Sequence, residues 1–261
     1  MSGNSARSAD PESAEYRIAV FSVQEDPEPL QLAIMALPQM DRATANLQSH
    51  QLPGILTSSY DWETAVNLAD AIQRLGLEAS AVPVCEIPDL VHVHQTHHVQ
   101  LTDGSLEAMD TSEHLQSCPW GEISVISVGI LPSSAPSGFH SAKEPSSLIS
   151  HRTWNEGVRV AAKHRPEAYV ILSDGQPGLL LASDEMNYEY LGDRMSTSSG
   201  SNFKLLIQDL VSRATGAWVT PSTLAFLEHS PVPRSEFRSH EEFRRYTEFQ
   251  TLLSRRQSEH P

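Results

Sequence analysis

Asp61-Trp62-Glu63-Thr64-Ala65-Val66-Asn67-Leu68-Ala69-Asp70-Ala71-Ile72-Gln73-Arg74-Leu75-Gly76-Leu77-Glu78-Ala79-Ser80-Ala81-Val82 changes its hydrophobic period partway along, and that change decides how the front of the chain folds. Trp62, Ala65, Val66, Ala69 and Ile72 recur at helical spacing, which predicts an amphipathic helix over residues 62–75. Asp61 stands where a carboxylate accepts from the orphan amides of a first turn, and Gly76 where the chain leaves a helix. Residues 77–82 then alternate apolar with polar, as a returning strand does. A helix with one apolar stripe next to a strand with one apolar face must bury the two together, which points to the α+β class.

Working outward, residues 16–23 alternate and are β-branched and aromatic, predicting a strand. Pro29 suits the first turn of a helix that runs to Leu37 and stops at Pro38. Asp41 is placed to cap a second helix over 42–50, and Leu52-Pro53-Gly54 turns the chain into a short strand at 55–57. The order is strand, helix, helix, strand, helix, strand. That order, with Ala65 inside the third helix and the run Leu75-Gly76-Leu77-Glu78-Ala79 at its exit, resembles the C-terminal domain of the bacterial ribosomal stalk protein over roughly residues 16–84. The resemblance implies a fold. In that family a lysine-rich helical face recruits translation factors, whereas residues 27–76 here contain no lysine, so the activity is not carried over.

A second module is expected from about residue 88. Val91, Val93, Val99 and Leu101 lie in β-rich runs, Asp103-Gly104 is a hairpin turn, and residues 105–109 continue the sheet. Cys118-Pro119-Trp120-Gly121 reads as a break, and the apolar run 123–131 as a central strand. Residues 132–150 are rich in Ser and Pro and read as an exposed loop. Residues 168–172 and 178–182 form a hairpin around Ser173-Asp174-Gly175-Gln176-Pro177. Phe203, Leu206, Ile207, Leu210, Val211 and Ala214 then mark an amphipathic helix that must cover a sheet. This succession over residues 88–216 resembles a pleckstrin-homology-like module, which implies a topology only. The tail, 239–256, is a helix opened by a Ser239-to-Glu242 capping box, able to pack on either module. The expected division is a disordered leader at 1–15, a stalk-like module at 16–86, a β-rich module covered by an amphipathic helix at 88–230, and a linker with the last helix at 231–261.

Composition bounds the function. Residues 1–150 hold 5 Lys and Arg against 19 Asp and Glu, while residues 151–261 hold 13 against 14. So acidic a front half repels a phosphate backbone, which argues against a nucleic-acid partner. Cys85 and Cys118 are the two cysteines, and neither belongs to a C-x-x-C pair. With no disulfide framework, no signal-peptide pattern and no stretch of roughly 18 apolar residues, a cytoplasmic protein with no membrane span is expected.

Four chemistries are candidates. His92 and His94, two apart on a strand, face the same way and could share a zinc ion if His97, His114 or Cys118 came close, and such a pair could also sense pH. The competing reading is a solvated sheet edge. Ser199, Ser201 and Asn202 at a helix start could bind an anion, though a capping loop explains them equally. Asp174 could be a carboxylate base, although turn chemistry accounts for its surroundings. Trp120, Trp154 and Trp218 could line a pocket or anchor cores. No H-E-x-x-H, G-x-S-x-G, G-x-G-x-x-G or kinase signature occurs, which lowers the expectation of an enzyme. The leading expectation is a non-catalytic interaction or regulatory protein with a protein partner and no cofactor. The alternatives are a metal sensor or metal-dependent enzyme built on His92 and His94, and a small-ligand sensor.

Overall fold

A computed structural model describes residues 14–22, 26–36, 40–132, 164–173, 178–228 and 235–259. The leader up to residue 13, the loop 133–150, Trp154 and Asp174 lie outside these described residues. The chain divides into two compact units: residues 1–92 with 244–261, and residues 93–243. The class is α+β, with a strand-helix-helix-strand-helix-strand module followed by a β-rich module covered by a helix.

In the first unit the elements are β1 (Tyr16–Val20), α1 (Glu28–Met35), α2 (Arg42–His50), β2 (Gly54–Ile55), α3 (Trp62–Arg74) and β3 (Ala79–Pro83). The sheet order is β2-β1-β3, both neighbours antiparallel to β1. Asp41 Oδ1 accepts from the Thr44 amide at 2.9 Å, and Asp61 Oδ1 from the Thr64 amide at 2.9 Å, so both helices start at the carboxylates that local chemistry favours. Gly76 leaves α3 with φ of +81°, a conformation that penalises any residue with a Cβ. Ile18 and Val20 pack against Leu30, Ile34, Ala45, Ala65, Leu68 and Ile72 of the helical layer.

The reverse side of β1 is also apolar, and a distant segment covers it. Ala19, Val82 and Ile87 pack with Leu252 of α6 (His240–Glu259), joined by Phe21 and Ile55. Phe21 stacks on Phe249 with ring centres 5.8 Å apart, Arg256 lies over the Phe21 ring at 4.4 Å and bonds Glu78, and Arg255 donates to the Glu86 carbonyl at 2.5 Å. The final helix from Arg244 onward therefore completes the first unit, while His240–Phe243 belong with the second.

The second unit is built on a mixed seven-stranded sheet ordered β10-β7-β8-β9-β4-β5-β6. Its strands are β4 (His94–Leu101), β5 (Ser105–Asp110), β6 (Leu115–Pro119), β7 (Ile123–Pro132), β8 (His164–Leu172), β9 (Leu179–Ala182) and β10 (Trp218–Val219). Helix α4 (Ser199–Arg213) lays Phe203, Leu206, Ile207 and Leu210 on one face, against Val99, Leu106, Cys118, Val128 and Leu181. On the other face Phe243 sits 5.2 Å from Tyr169 and 4.9 Å from Phe237 between ring centres. Three elements were not expected from sequence: β6, β10 and α5 (Pro221–Glu228). Cys118-Pro119, read as a break, ends β6 instead. The apolar run of β7 is buried on both faces but stands one strand from the sheet's end, with only the two-residue β10 beyond it.

The two ends of this sheet differ. Outside β7, the Thr220 amide donates to the Ile126 carbonyl at 3.1 Å, and the Thr223 hydroxyl of α5 bonds both the Val128 amide, 2.8 Å, and the Ile126 carbonyl, 3.0 Å. Farther along, the Phe237 amide donates to the Ile130 carbonyl at 3.0 Å. That edge is covered along its length. Beyond β6 no described strand follows.

Candidate functional site

Strand register assembles a groove in the second unit. In the antiparallel pairs Thr96 stands opposite Asp110 and Ala108 opposite Gln116, while Leu179 of the parallel neighbour β9 stands opposite His94. Residues paired across a sheet share a face, and residues two apart on a strand do also. His94, Thr96, Ala108, Asp110, Gln116 and Leu179 therefore project from one surface, the same one that carries Val99, Leu106 and Cys118 under α4. Together with His114 and Leu115 they line a groove of about 350 Å³.

Ala108 and Leu179 are buried at its floor, and exposed Leu115 stands beside the polar residues that line the rest. Asp110 closes the turn between β5 and β6: its Oδ1 accepts from the Ser112 amide at 2.8 Å and the His114 amide at 2.9 Å. These amides, His114 first, hold the Asp110 carboxyl below the usual carboxylate range, and the His94 and His114 rings add to the effect. Its Oδ2 lies 4.0 Å from Nδ1 of His114, whose side chain is largely exposed. The groove can thus present a carboxylate, two imidazoles, a buried hydroxyl at Thr96 and an amide at Gln116 to a polar or cationic group.

Of the residues singled out for metal binding, the register brings together His94 and His114 only. β4 begins at His94, so His92 does not lie on a strand with it. Instead His92 sits in a bend of the first unit, its Nδ1 2.7 Å from Asp89 Oδ2. That bond, with the Val91 amide, holds the Asp89 carboxyl low. His97 sits at an irregularity in the β4–β5 ladder between Thr96 and His98, outside the residues that line the groove, and its carbonyl accepts from the Asn187 amide at 2.7 Å. Cys118 is buried in the core, where desolvation above all, with the charges of Glu107 and Glu122, pushes its thiol up to about 11. Among the described residues no three His, Cys, Asp or Glu side chains converge as a metal site would require.

The serine-rich helix start resolves into a cap. Ser198, one residue before the first of the three singled out, accepts from the Ser201 amide at 3.3 Å. The Asn202 side chain is buried and closes on Ser196, accepting its amide at 2.7 Å and donating to its carbonyl at 2.9 Å. The Ser201 amide and the Asn202 side chain are thus engaged internally, and Ser199 lies in the first turn of α4. Trp120 donates to the Thr102 carbonyl at 3.1 Å with the Arg213 guanidinium 5.7 Å from its ring centre, and Trp218 is half-buried in β10. Trp120 thus serves packing against the core of the second unit.

Sequence reasoning passed over a second charged cluster. Glu167 is buried on β8, bound by Arg165 at 2.8 Å and by His240 Nδ1 at 3.1 Å. Arg165 also reaches Asp184 at 3.0 Å and Glu185 at 2.8 Å, and Glu185 takes a further bond from Gln95. The carboxylates raise the guanidinium pKa against the opposing effect of burial. Three carboxylates share one guanidinium and one imidazole, so each charged side chain has a partner within the group, as in a structural ion network, although the group stays net negative. Neither this cluster nor Asp110 had a signal in sequence, since each depends on strand register.

Comparison with protein-family models, curated proteins and solved structures finds no match to this chain.

Proposed function

We propose that this chain is a non-catalytic, cytoplasmic protein-interaction or regulatory protein whose first unit offers its helical layer to a protein partner. The observation that carries the reading is the outward side of that layer. Leu32 on α1 and Leu47 on α2 are each 59% exposed, and Trp62 at the start of α3 is 54% exposed. Large apolar side chains left in water on helices of one layer fit a contact surface, because their burial against a partner is favourable by roughly 1.5–3 kcal/mol per fully buried side chain. Trp62 is already oriented by Tyr16, ring centres 5.0 Å apart. The surface differs in chemistry from the lysine-rich face of the ribosomal stalk family, so a different partner is implied. The internal pairing of Arg165, Glu167, Asp184, Glu185 and His240 further supports a role without bond-making. Among the described residues no helix is long and apolar enough to cross a membrane.

The test compares affinity capture by the full chain with capture by a Leu32→Ser, Leu47→Ser variant of unchanged circular dichroism. One protein recovered near stoichiometry by the wild type and lost from the variant is expected. Identical recovery by both, or nothing above background, refutes the reading. Elemental analysis of tag-free protein runs alongside, and stoichiometric zinc that disappears in a His92→Ala, His94→Ala variant would favour the metal-sensor alternative.

A further inference from the structure

We propose that the outer edge of β6 is a docking site for an extended, lysine- or arginine-bearing peptide of a protein partner, which adds beside β6 and sets the side chain opposite Gln116 into the groove against Asp110. This deepens the protein-interaction reading and rests on it, while using a different unit and different residues.

The backbone geometry comes first. The Asp110 amide donates to the His114 carbonyl at 3.1 Å, and the Trp120 amide to the Gly104 carbonyl at 3.2 Å. Antiparallel bonding alternates, so the even-numbered residues Gln116 and Cys118 bond β5, and Leu115 and Ser117 turn their N–H and C=O groups outward. No described residue pairs with those outward groups. Exposed edges template strand addition and are ordinarily blunted by charge, proline or covering segments. The β7 edge has the covering devices of Thr220, Thr223 and Phe237. On β6 only Pro119, at its last position, is of that kind, and Leu115 is 68% exposed.

Side-chain parity then ties the edge to the groove. A residue opposite Gln116 on an added strand shares the face of Gln116, Ala108 and Asp110, which is the groove face. Main-chain bonds at Leu115 and Ser117 would supply affinity, and this one side chain specificity.

Charge selects the chemistry of the peptide. Between Arg74 and Lys143 the chain has no Lys or Arg, while β4 to β7 is bordered by Asp103, Glu107, Asp110, Glu113 and Glu122. The cation that reaches this region from α4, Arg213, is engaged with the Thr102 carbonyl at 2.8 Å and the Trp120 ring. A cationic side chain entering the groove over Gln116 meets an ionised Asp110, with Ala108 beneath its methylenes.

The experiment titrates the full chain with a labelled, capped peptide of alternating valine and lysine, about nine residues long, with the glutamate-for-lysine peptide as comparison. The wild type binds the lysine peptide, with amide shifts at Leu115 and Ser117, and does not bind the glutamate peptide. Ser117→Pro removes an outward N–H together with the hydroxyl bond to Glu107, and proline is tolerated on an edge strand, so it weakens binding by about tenfold with the fold intact. Ser117→Ala, which loses the hydroxyl bond to Glu107, binds as the wild type does, and Asp110→Asn weakens binding about fivefold or more. Leu32→Ser, Leu47→Ser retains full peptide binding, so failure at the first unit is separable from failure here. No binding of the lysine peptide, equal binding of both peptides, or undiminished binding to folded Ser117→Pro overturns the proposal. So does self-association in sedimentation that Ser117→Pro abolishes, because the edge would then pair with a second copy of the chain.

Discussion

Gly129→Ala should destabilise the second unit, and the size of the effect follows from a single close approach. A Cβ at Gly129 would lie 2.7 Å from Cδ2 and 2.8 Å from Cε2 of Phe243, and 2.9 Å from Cδ2 of Phe237. Carbon pairs are comfortable at roughly 3.5–4.0 Å, so the overlap is close to a full ångström. Phe243 cannot swing clear easily, because it is fully buried with Tyr169 and Phe237 at 5.2 and 4.9 Å between ring centres. Overpacking of this kind costs about 1–3 kcal/mol. Restricting the unfolded chain works the other way by only about 0.4–1 kcal/mol, so the clash wins. At about 2–4 °C per kcal/mol for a body of this size, calorimetry should record a fall of roughly 3–8 °C in the melting transition. Phe243→Leu withdraws the offending ring atoms and is itself costly, by about 1–3 kcal/mol. Adding Gly129→Ala to that variant should then cost about 1 kcal/mol less than in the wild type, a coupling between touching residues. A Gly129→Ala protein melting with the wild type, or a penalty unchanged by Phe243→Leu, refutes the reasoning.

The cysteines should separate by reactivity. Cys85 is exposed and Cys118 is buried with its thiol raised to about 11, so a thiol reagent at pH 8 should modify one site in the native protein and two in denaturant, and two native sites would contradict the packing. Thr223→Val should leave the Val128 amide buried without its hydroxyl partner, while the Ile126 carbonyl keeps the Thr220 amide. A loss of about 1–3 kcal/mol and faster exchange at Val128 are expected, and unchanged exchange would show that this edge is held otherwise. Asp61 caps α3, and its carboxyl is held low chiefly by the Thr64 amide. A depressed folded-state pKa means that the cap's contribution is present above the unfolded value near 3.9 and fades as pH falls through the folded value. The stability gap between wild type and Asp61→Ala, followed by denaturation at several pH values, should therefore be constant at neutrality and close in acid below about pH 4; a gap that widens on acidification would contradict the capping bond.

What could be read from residues alone was what depends on near neighbours. The caps at Asp41 and Asp61, the turn at Gly76, the stripe from Phe203 to Ala214 and the box between Ser239 and Glu242 each involve groups within a few positions, and they sit as local chemistry requires. The Glu242 amide donates to Ser239 Oγ at 3.1 Å, although the Glu242 carboxylate returns to the Arg238 amide rather than to Ser239.

Tertiary structure decided the rest. Leu-Gln-Ser-Cys-Pro has little β-propensity, yet it is a strand because β5 offers it a ladder and the core a place for Cys118. His92 and His94 look like partners in sequence, but Asp89 draws the first into a bend, and register sets the second beside Asp110 and Gln116. The last helix could have covered any apolar face; Leu252 and Phe249 meet the reverse side of β1, more than two hundred residues away. Amino-acid pattern encodes which way each segment must face, because burial and capping act over one turn or one pleat. Which segments then meet is settled by the competition of whole surfaces for one another, a contest with no local signature.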